Sequence, residues 1–235
     1  MDNTVETSKR TSAPILDPRS HPLYFLQMVA KECPTLRSFE LISYDVNDGH
    51  YGDTATADKE THEVDASAIV EVGSEIIREA AKDNLDVVVS SRVTMKDDNE
   101  VYHMPMFDLS VPKILSYQNL HQDEVFLNAF AIATGMEFQE NFALFESGRS
   151  YHAYGMFRSK YTLLGEQRWC DFMMQLLTLP GLHDSIPAVE SVADFRWIGH
   201  RMLKGFAALR LSAVDKHYLQ EPAMVYCPTG QVRSF

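Results

Sequence analysis

Apolar positions along the chain fall into two periods that alternate, and this alternation is the first guide to its fold. Residues 21–30 carry apolar side chains at helical spacing and predict a helix that ends before Pro34. Residues 39–44 alternate loosely and suit a strand, whereas 45–65 are rich in Asp, Gly, Thr and His and read as a long solvated loop. Ile69, Val70, Ile76, Ile77 and Ala80 give one apolar face through Ala81, so a helix is expected there with Ser67 as its N-cap. The β-branched run 85–93 predicts a strand, 97–100 a turn, and 101–109 a returning strand with Asp108 near its end. Downstream, 125–133 and 163–179 predict helices, the second closed by Pro180-Gly181. Strands are expected at 138–145, 151–157, 189–194, 207–212 and 223–227.

Strand runs interleaved with a few helices indicate an α+β class, with an antiparallel or mixed sheet and helices packed against one side. Residues 1–20 lack any period and read as a flexible arm. Residues 21–235 read as a single domain, with an N-terminal α/β part over 21–84 and the chemistry carried by a core over 85–235.

Composition narrows the class without changing it. With 235 residues, 45% hydrophobic and 23% charged, the chain has the make-up of a soluble globular protein. No apolar run approaches the roughly 20 residues of a membrane helix, and the first residues lack the apolar core of a secretory signal. Three widely spaced cysteines, Cys33, Cys170 and Cys227, form no metal-type pair, and their odd number suits free thiols in a cytoplasmic setting. The net charge of −12 is unevenly spread: residues 1–100 hold 20 acidic and 10 basic residues, whereas 194–235 hold 3 acidic and 6 basic. The acidic N-terminal half suits a basic protein partner, and the C-terminal segment suits an anionic ligand.

The segment Ser147-Gly148-Arg149-Ser150-Tyr151-His152 places small residues, an Arg and a His on a turn and the strand after it. Backbone N–H groups of such a turn, together with Ser147, Arg149 and His152, can cradle a triphosphate. Two acids emerge from apolar strands on either side, Asp108 in Met106-Phe107-Asp108-Leu109-Ser110 and Asp194 in Val192-Ala193-Asp194. Carboxylates converging from different strands hold Mg²⁺ or Mn²⁺, the ions that neutralise phosphates in nucleotidyl transfer. Because strand side chains alternate, position 110 shares a face with Asp108, and there the sequence has a serine, a much weaker ligand than a carboxylate. Arg201, Arg210 and Lys216 add a possible wall of phosphate-binding cations. Trp169 and Trp197 read as packing residues.

These motifs, in this order, resemble the archaeo-eukaryotic primase superfamily, which includes the primase-polymerases. Members share an acid-x-acid strand, a Ser-x-His motif set around Ser-Gly-Arg-Gly-x-His, and a later third acid followed by basic segments. The match covers roughly residues 85–225, with Asp108-Leu109-Ser110 departing from the acid pair and Ser150 replacing a glycine. The resemblance implies an RRM-like sheet with an additional α/β subdomain. It also implies a nucleoside triphosphate, Mg²⁺ or Mn²⁺, and a single-stranded nucleic acid as ligands. Asp108, Asp194 and His152 would be its catalytic residues, Asp108 and Asp194 its metal ligands. Ser147, Gly148, Arg149, His152, Arg201, Arg210 and Lys216 would hold the nucleotide. Two functional classes follow: a primase-polymerase-like nucleotidyltransferase, or a catalytically reduced nucleotide- or nucleic-acid-binding module serving as sensor or scaffold in a larger assembly. No P-loop, dinucleotide fingerprint or Gly-x-Ser-x-Gly elbow supports an NTPase, Rossmann or hydrolase reading.

Overall fold

The computed structural model describes residues 18–45, 59–98, 100–112, 115–148, 150–182, 189–213 and 221–228. Of the expected arm, residues 1–17 lie outside them, and Pro18–Ser20 form a single 3₁₀ turn.

Helix α1 (Pro22–Glu32) starts where the His21 side chain accepts from the Leu23 N–H, with Pro22 at the first helical position, where a missing N–H costs nothing. It buries Leu23, Phe25, Leu26 and Val29. Strand β1 (Leu36–Asp45) follows, and then β2 (Lys59–Asp65), which pairs antiparallel with it from Ser38↔Asp65 to Tyr44↔Lys59. Residues 59–65 therefore form an edge strand rather than the tail of the expected loop. Their Lys-Glu-Thr-His-Glu-Val-Asp sequence hides this, because an edge strand needs few apolar residues and charges there discourage pairing with other chains.

Helix α2 (Ile69–Lys82) is preceded by a single 3₁₀ turn capped by Asp65, whose carboxylate accepts from the Ser67 N–H at 2.8 Å. The helix itself has Ala68 at its N-cap with no side-chain bond, so the cap expected at Ser67 is replaced by Asp65 on the turn before it. Strand β3 (Leu85–Met95) pairs along one edge with β1. Its other edge receives β4 (Val101–His103) and, from far along the chain, β8 (Ala208–Arg210). The 84/85 boundary expected from the sequence thus falls between two strands of one five-stranded antiparallel sheet.

The run 101–109 was expected as one strand, but it splits. β4 ends at His103, and β5 (Met106–Leu109) joins a second sheet of order β5-β7-β6-β9. Pro105 sits at the crossing. It has no N–H to offer a ladder, and its carbonyl accepts from Gly155 at 2.7 Å. A side chain at Gly155 would meet that carbonyl oxygen at 2.6 Å, so only glycine admits the approach. The rest of the second sheet is β6 (Phe142–Ser147), β7 (Ser150–Gly155) and β9 (Ala223–Tyr226), and every pairing is antiparallel.

One face of the second sheet carries helices α3 (Tyr117–Gln122), α4 (Glu124–Thr134), α5 (Phe138–Asn141) and α6 (Glu166–Leu176), as expected for the α+β class. Phe107 is the hub there, ringed by Phe130, Phe138, Phe142 and Phe172 with centroids 5.6–6.3 Å away. Truncating such a buried ring costs about 3–5 kcal/mol. On the opposite face Phe25 of α1 packs edge-on against Phe145 and Tyr154, which joins the two sheets through one continuous core. The expected strand at 138–145 begins only at Phe142, because its first residues turn into α5.

Helix α7 (Phe195–Lys204) occupies a segment for which no helix was expected, and it ends at Gly205, whose φ of +73° lets the chain reverse into β8. Among the described residues, no helix is long and apolar enough to cross a membrane.

Candidate functional site

The two sheets meet at a cavity of about 400 Å³. Asp108, Ser147, Gly148, His152, Asp194, Arg201 and Arg210 all line it, so seven of the residues singled out from the sequence converge on one space. Arg149 and Lys216 lie outside the described residues. Tyr44, Val88, Ser150 and Trp197 complete much of the wall and were not chosen from the sequence.

Strand register explains the convergence. Asp108 and His152 are direct cross-strand partners in β5 and β7, so their side chains share a face, with His152 Nε2 3.9 Å from Asp108 Oδ1. Ser147 and Ser150 face each other across a two-residue turn whose first residue, Gly148, has φ +61°, a conformation that glycine adopts without strain.

The second acid arrives differently from the expectation. Asp194 does not extend a regular strand. A short antiparallel bridge, Leu109↔Ala193, is flanked by hydrogen bonds from Ser110 N–H to Val192 O at 2.7 Å and from Asp194 N–H to Asp108 O at 3.2 Å. That miniature ladder sets Asp108 and Asp194 side by side. Asp194 is also the N-cap of α7, its Oδ1 accepting from the Arg196 and Trp197 N–H groups at 2.9 and 3.0 Å. The helix it caps then presents Trp197 and, one turn on, Arg201, whose guanidinium lies over the indole at 5.8 Å. Trp197 is therefore a cavity wall and not only the packing residue it was read as, while Trp169 is buried in the core.

Arg210 bridges the sheets. It sits on β8 opposite Val88 of β3, yet its Nη2 donates to Ser147 Oγ at 2.8 Å and its Nη1 to the Ser212 carbonyl at 3.2 Å. Ser147 thus holds the arginine in place. Ser110 is exposed and is not among the cavity's lining residues, and no cluster of three His, Cys, Asp or Glu of metal-binding geometry occurs among the described residues.

Burial and like charge both act on the titratable groups of the cavity. Burial, then repulsion from Asp194, pushes the Asp108 carboxyl up to about 7, against the opposing pull of Arg201 and Arg210. Burial, then Arg210 and Arg201, holds His152 down at about 3, so its ring is neutral at physiological pH. Asp108 Oδ1 and His152 Nδ1 are buried with no hydrogen-bond partner among the described residues. The donor set fits a hard divalent cation: an unsatisfied oxygen on Asp108, a second carboxylate with Oδ2 outside its capping bonds, and mutual repulsion that a cation would relieve.

Two antiparallel sheets thus bring two acids, a histidine and two arginines to one cavity at their junction. The chain belongs to the AEP-like family, described as archaeo-eukaryotic primase 1D-like, whose sequence model matches residues 67–223. Among solved structures, the crystal structure of primase RepB′ matches at a TM-score of 0.43 and 15% identity, over 86% of this chain and 54% of that one. The chain thus spans about half the length of that protein. No curated protein sequence matches it.

Proposed function

We propose that the cavity binds a nucleoside triphosphate together with Mg²⁺ or Mn²⁺, and that the chain transfers the nucleotidyl group to a hydroxyl of a nucleic acid or of a first nucleotide. The observation that carries this reading is the pairing of Asp108 with Asp194 beside His152 and the buried Arg210 on one cavity. Family membership over residues 67–223 supports it.

Asp108 and Asp194 would hold the cation, which when bound neutralises phosphate charge and activates the attacking hydroxyl. Arg210, fixed through both amino nitrogens, and Arg201 would meet phosphate oxygens. Neutral His152 would donate an N–H to a phosphate oxygen rather than act as a cation. The Gly148 turn would supply backbone donors, with Arg149 and Lys216 as further phosphate ligands. Tyr44, Val88 and Trp197 offer the apolar wall on which a nucleoside would rest. The hydroxyl oxygen bonds to the α-phosphorus, the bond to the β-phosphate oxygen breaks, pyrophosphate leaves with that electron pair, and the hydroxyl proton passes to solvent. Positioning and charge stabilisation would supply most of the acceleration.

A second reading, a binding module without turnover, draws on Ser110: the position two beyond Asp108 is a neutral, exposed hydroxyl rather than a third carboxylate. One experiment separates the two. The purified chain is incubated with labelled triphosphates, a single-stranded template and Mn²⁺ or Mg²⁺, beside the Asp108→Ala/Asp194→Ala variant. Products lost in the variant establish the transferase. Metal-dependent nucleotide binding without products establishes the module, and no binding under any condition sinks both.

A further inference from the structure

Asp86 is a carboxylate with no exposure to solvent, set in the apolar run Leu85 to Val89 of β3. A buried carboxylate is expensive. One of its hydrogen bonds leads toward the cavity. Asp86 Oδ1 accepts from Ser212 Oγ at 2.9 Å, and Ser212 Oγ accepts from the Val87 N–H at 2.8 Å. The serine hydroxyl is thereby used both as donor and as acceptor, which fixes its residue beside β3. The Ser212 carbonyl in turn accepts from Arg210 Nη1 at 3.2 Å. The other amino nitrogen of the same guanidinium is held by Ser147 Oγ from the second sheet. Ser212 is the residue at which the first sheet grips the guanidinium, and Asp86 is the group that grips Ser212.

The segment has further anchors. Leu211 and Ser212 donate their N–H groups to the Val87 carbonyl at 2.8 and 3.3 Å, and the Leu211 carbonyl contacts His21 Nε2 at 2.8 Å. These bonds hold the backbone at Leu211 and Ser212. The Ser212 hydroxyl, donating to Asp86 and accepting from the Val87 N–H, adds a side-chain tie between the same residue and β3, and so further fixes the residue whose carbonyl Arg210 uses.

We propose that Asp86 is a positioning residue for triphosphate recognition: acting through Ser212, it sets the guanidinium of Arg210 in the orientation that reads the phosphate chain. This inference rests on the reading of the cavity as a triphosphate site. It places the selectivity for triphosphate over monophosphate in a residue that never touches the nucleotide.

The test measures binding of ATP and AMP in saturating Mg²⁺ to the full chain and to Asp86→Ala, Asp86→Asn, Ser212→Ala and Arg210→Ala, each checked for folding by circular dichroism. The expected result is an ATP-over-AMP preference that collapses in Arg210→Ala and falls about tenfold in Asp86→Ala and Ser212→Ala, as for loss of one charge-assisted contact. Asp86→Asn, which keeps an oxygen acceptor for Ser212, recovers most of the preference. A role confined to stability would lower the melting temperature and weaken ATP and AMP alike, with their ratio unchanged. Should Asp86→Ala fail to fold, Ser212→Ala and Asp86→Asn decide. A ratio that collapses in Arg210→Ala but holds in Ser212→Ala and every folded Asp86 variant overturns the inference and leaves the site reading standing. A wild-type chain that shows no preference for ATP overturns both.

Discussion

Removing the charge of Asp108 should make the metal-free protein more stable, although it destroys the site. An aspartate ordinarily ionises near 3.8, whereas in the folded chain Asp108 does so at about 7. Between those values the folded state binds a proton that the unfolded chain has released, so stability falls as pH rises through that window and stays low above it. Three units at about 1.4 kcal/mol each set a ceiling near 4 kcal/mol. Because 24% of the side chain is open to the cavity, water and salt reduce this, and a penalty on the order of 1–2 kcal/mol is expected at pH 8. Asn keeps the shape and cannot ionise, so Asp108→Asn should recover that amount.

For a chain of this size each kcal/mol moves the melting temperature by about 2–4 °C. In EDTA, Asp108→Asn should therefore melt about 4 °C above wild type at pH 8, with a much smaller gain at pH 5, where wild-type Asp108 already carries its proton. Added Mg²⁺ should raise the melting temperature of wild type alone and narrow the gap. Differential scanning fluorimetry at the two pH values is sufficient. Equal gains at pH 5 and pH 8, or a variant that melts below wild type at pH 8, would refute the claim that Asp108 is held near Asp194 as an uncompensated charge.

Three further outcomes are expected. Arg210→Ala should weaken ATP binding in Mg²⁺ by about 10- to 100-fold in calorimetry, the value of a charge-assisted bond of about 1.5–3 kcal/mol, and an unchanged affinity would remove Arg210 from the phosphate site. His152 should show no titration by NMR between pH 5 and pH 8 in the free protein, its pKa near 3 should rise when ATP and Mg²⁺ bind, and since it is held below its unfolded value it should lower stability progressively as pH falls below about 6.5. Ser110→Asp places a third carboxylate two residues beyond Asp108, at an exposed position outside the cavity wall, and should tighten Mg²⁺ binding about tenfold, and unchanged binding would show that position 110 faces away from the metal.

Helices α1, α2, α4 and α6 were legible because one buried face imposes a helical period on the sequence, and strands β1, β3 and β7 because they are largely buried and read as apolar or β-branched runs. Strand β2 was not, since an edge strand of charged residues carries no such period. Helix α7 was missed for another reason. Its signals are present, with Asp194 as N-cap, Ile198 and Met202 a turn apart, Arg201 and Lys204 in the last turn, and Gly205 beyond. They follow directly on Val192-Ala193, which reads as a strand. The acids, the histidine and the arginines were recognisable by type and order, but their meeting depends on register: Asp108 opposite His152, Leu109 opposite Ala193, Val88 opposite Arg210. Tyr44 and Asp86 carried no signal at all, because their relevance comes only from their neighbours across β3.

On the proposed function, the distribution of charge would let so acidic a chain hold an anion. The net charge of −12 comes mostly from the first 100 residues, which hold 20 acidic and 10 basic residues. At the cavity two guanidiniums face two carboxylates, one of which is held close to protonation. Neither ligand suits this arrangement alone. A bare triphosphate meets Asp194 and Asp108, and a bare cation meets Arg201 and Arg210. On the proposed function the two together would divide the cavity, the cation toward the paired acids and the phosphates toward the arginines and the neutral histidine. Each would remove the repulsion that the other meets, so binding of one would strengthen binding of the other by an equal factor. Asp108 Oδ1 and His152 Nδ1 have no hydrogen-bond partner among the described residues. On the proposed function those atoms would be the structural cost of a site that takes a cation and an anion at once.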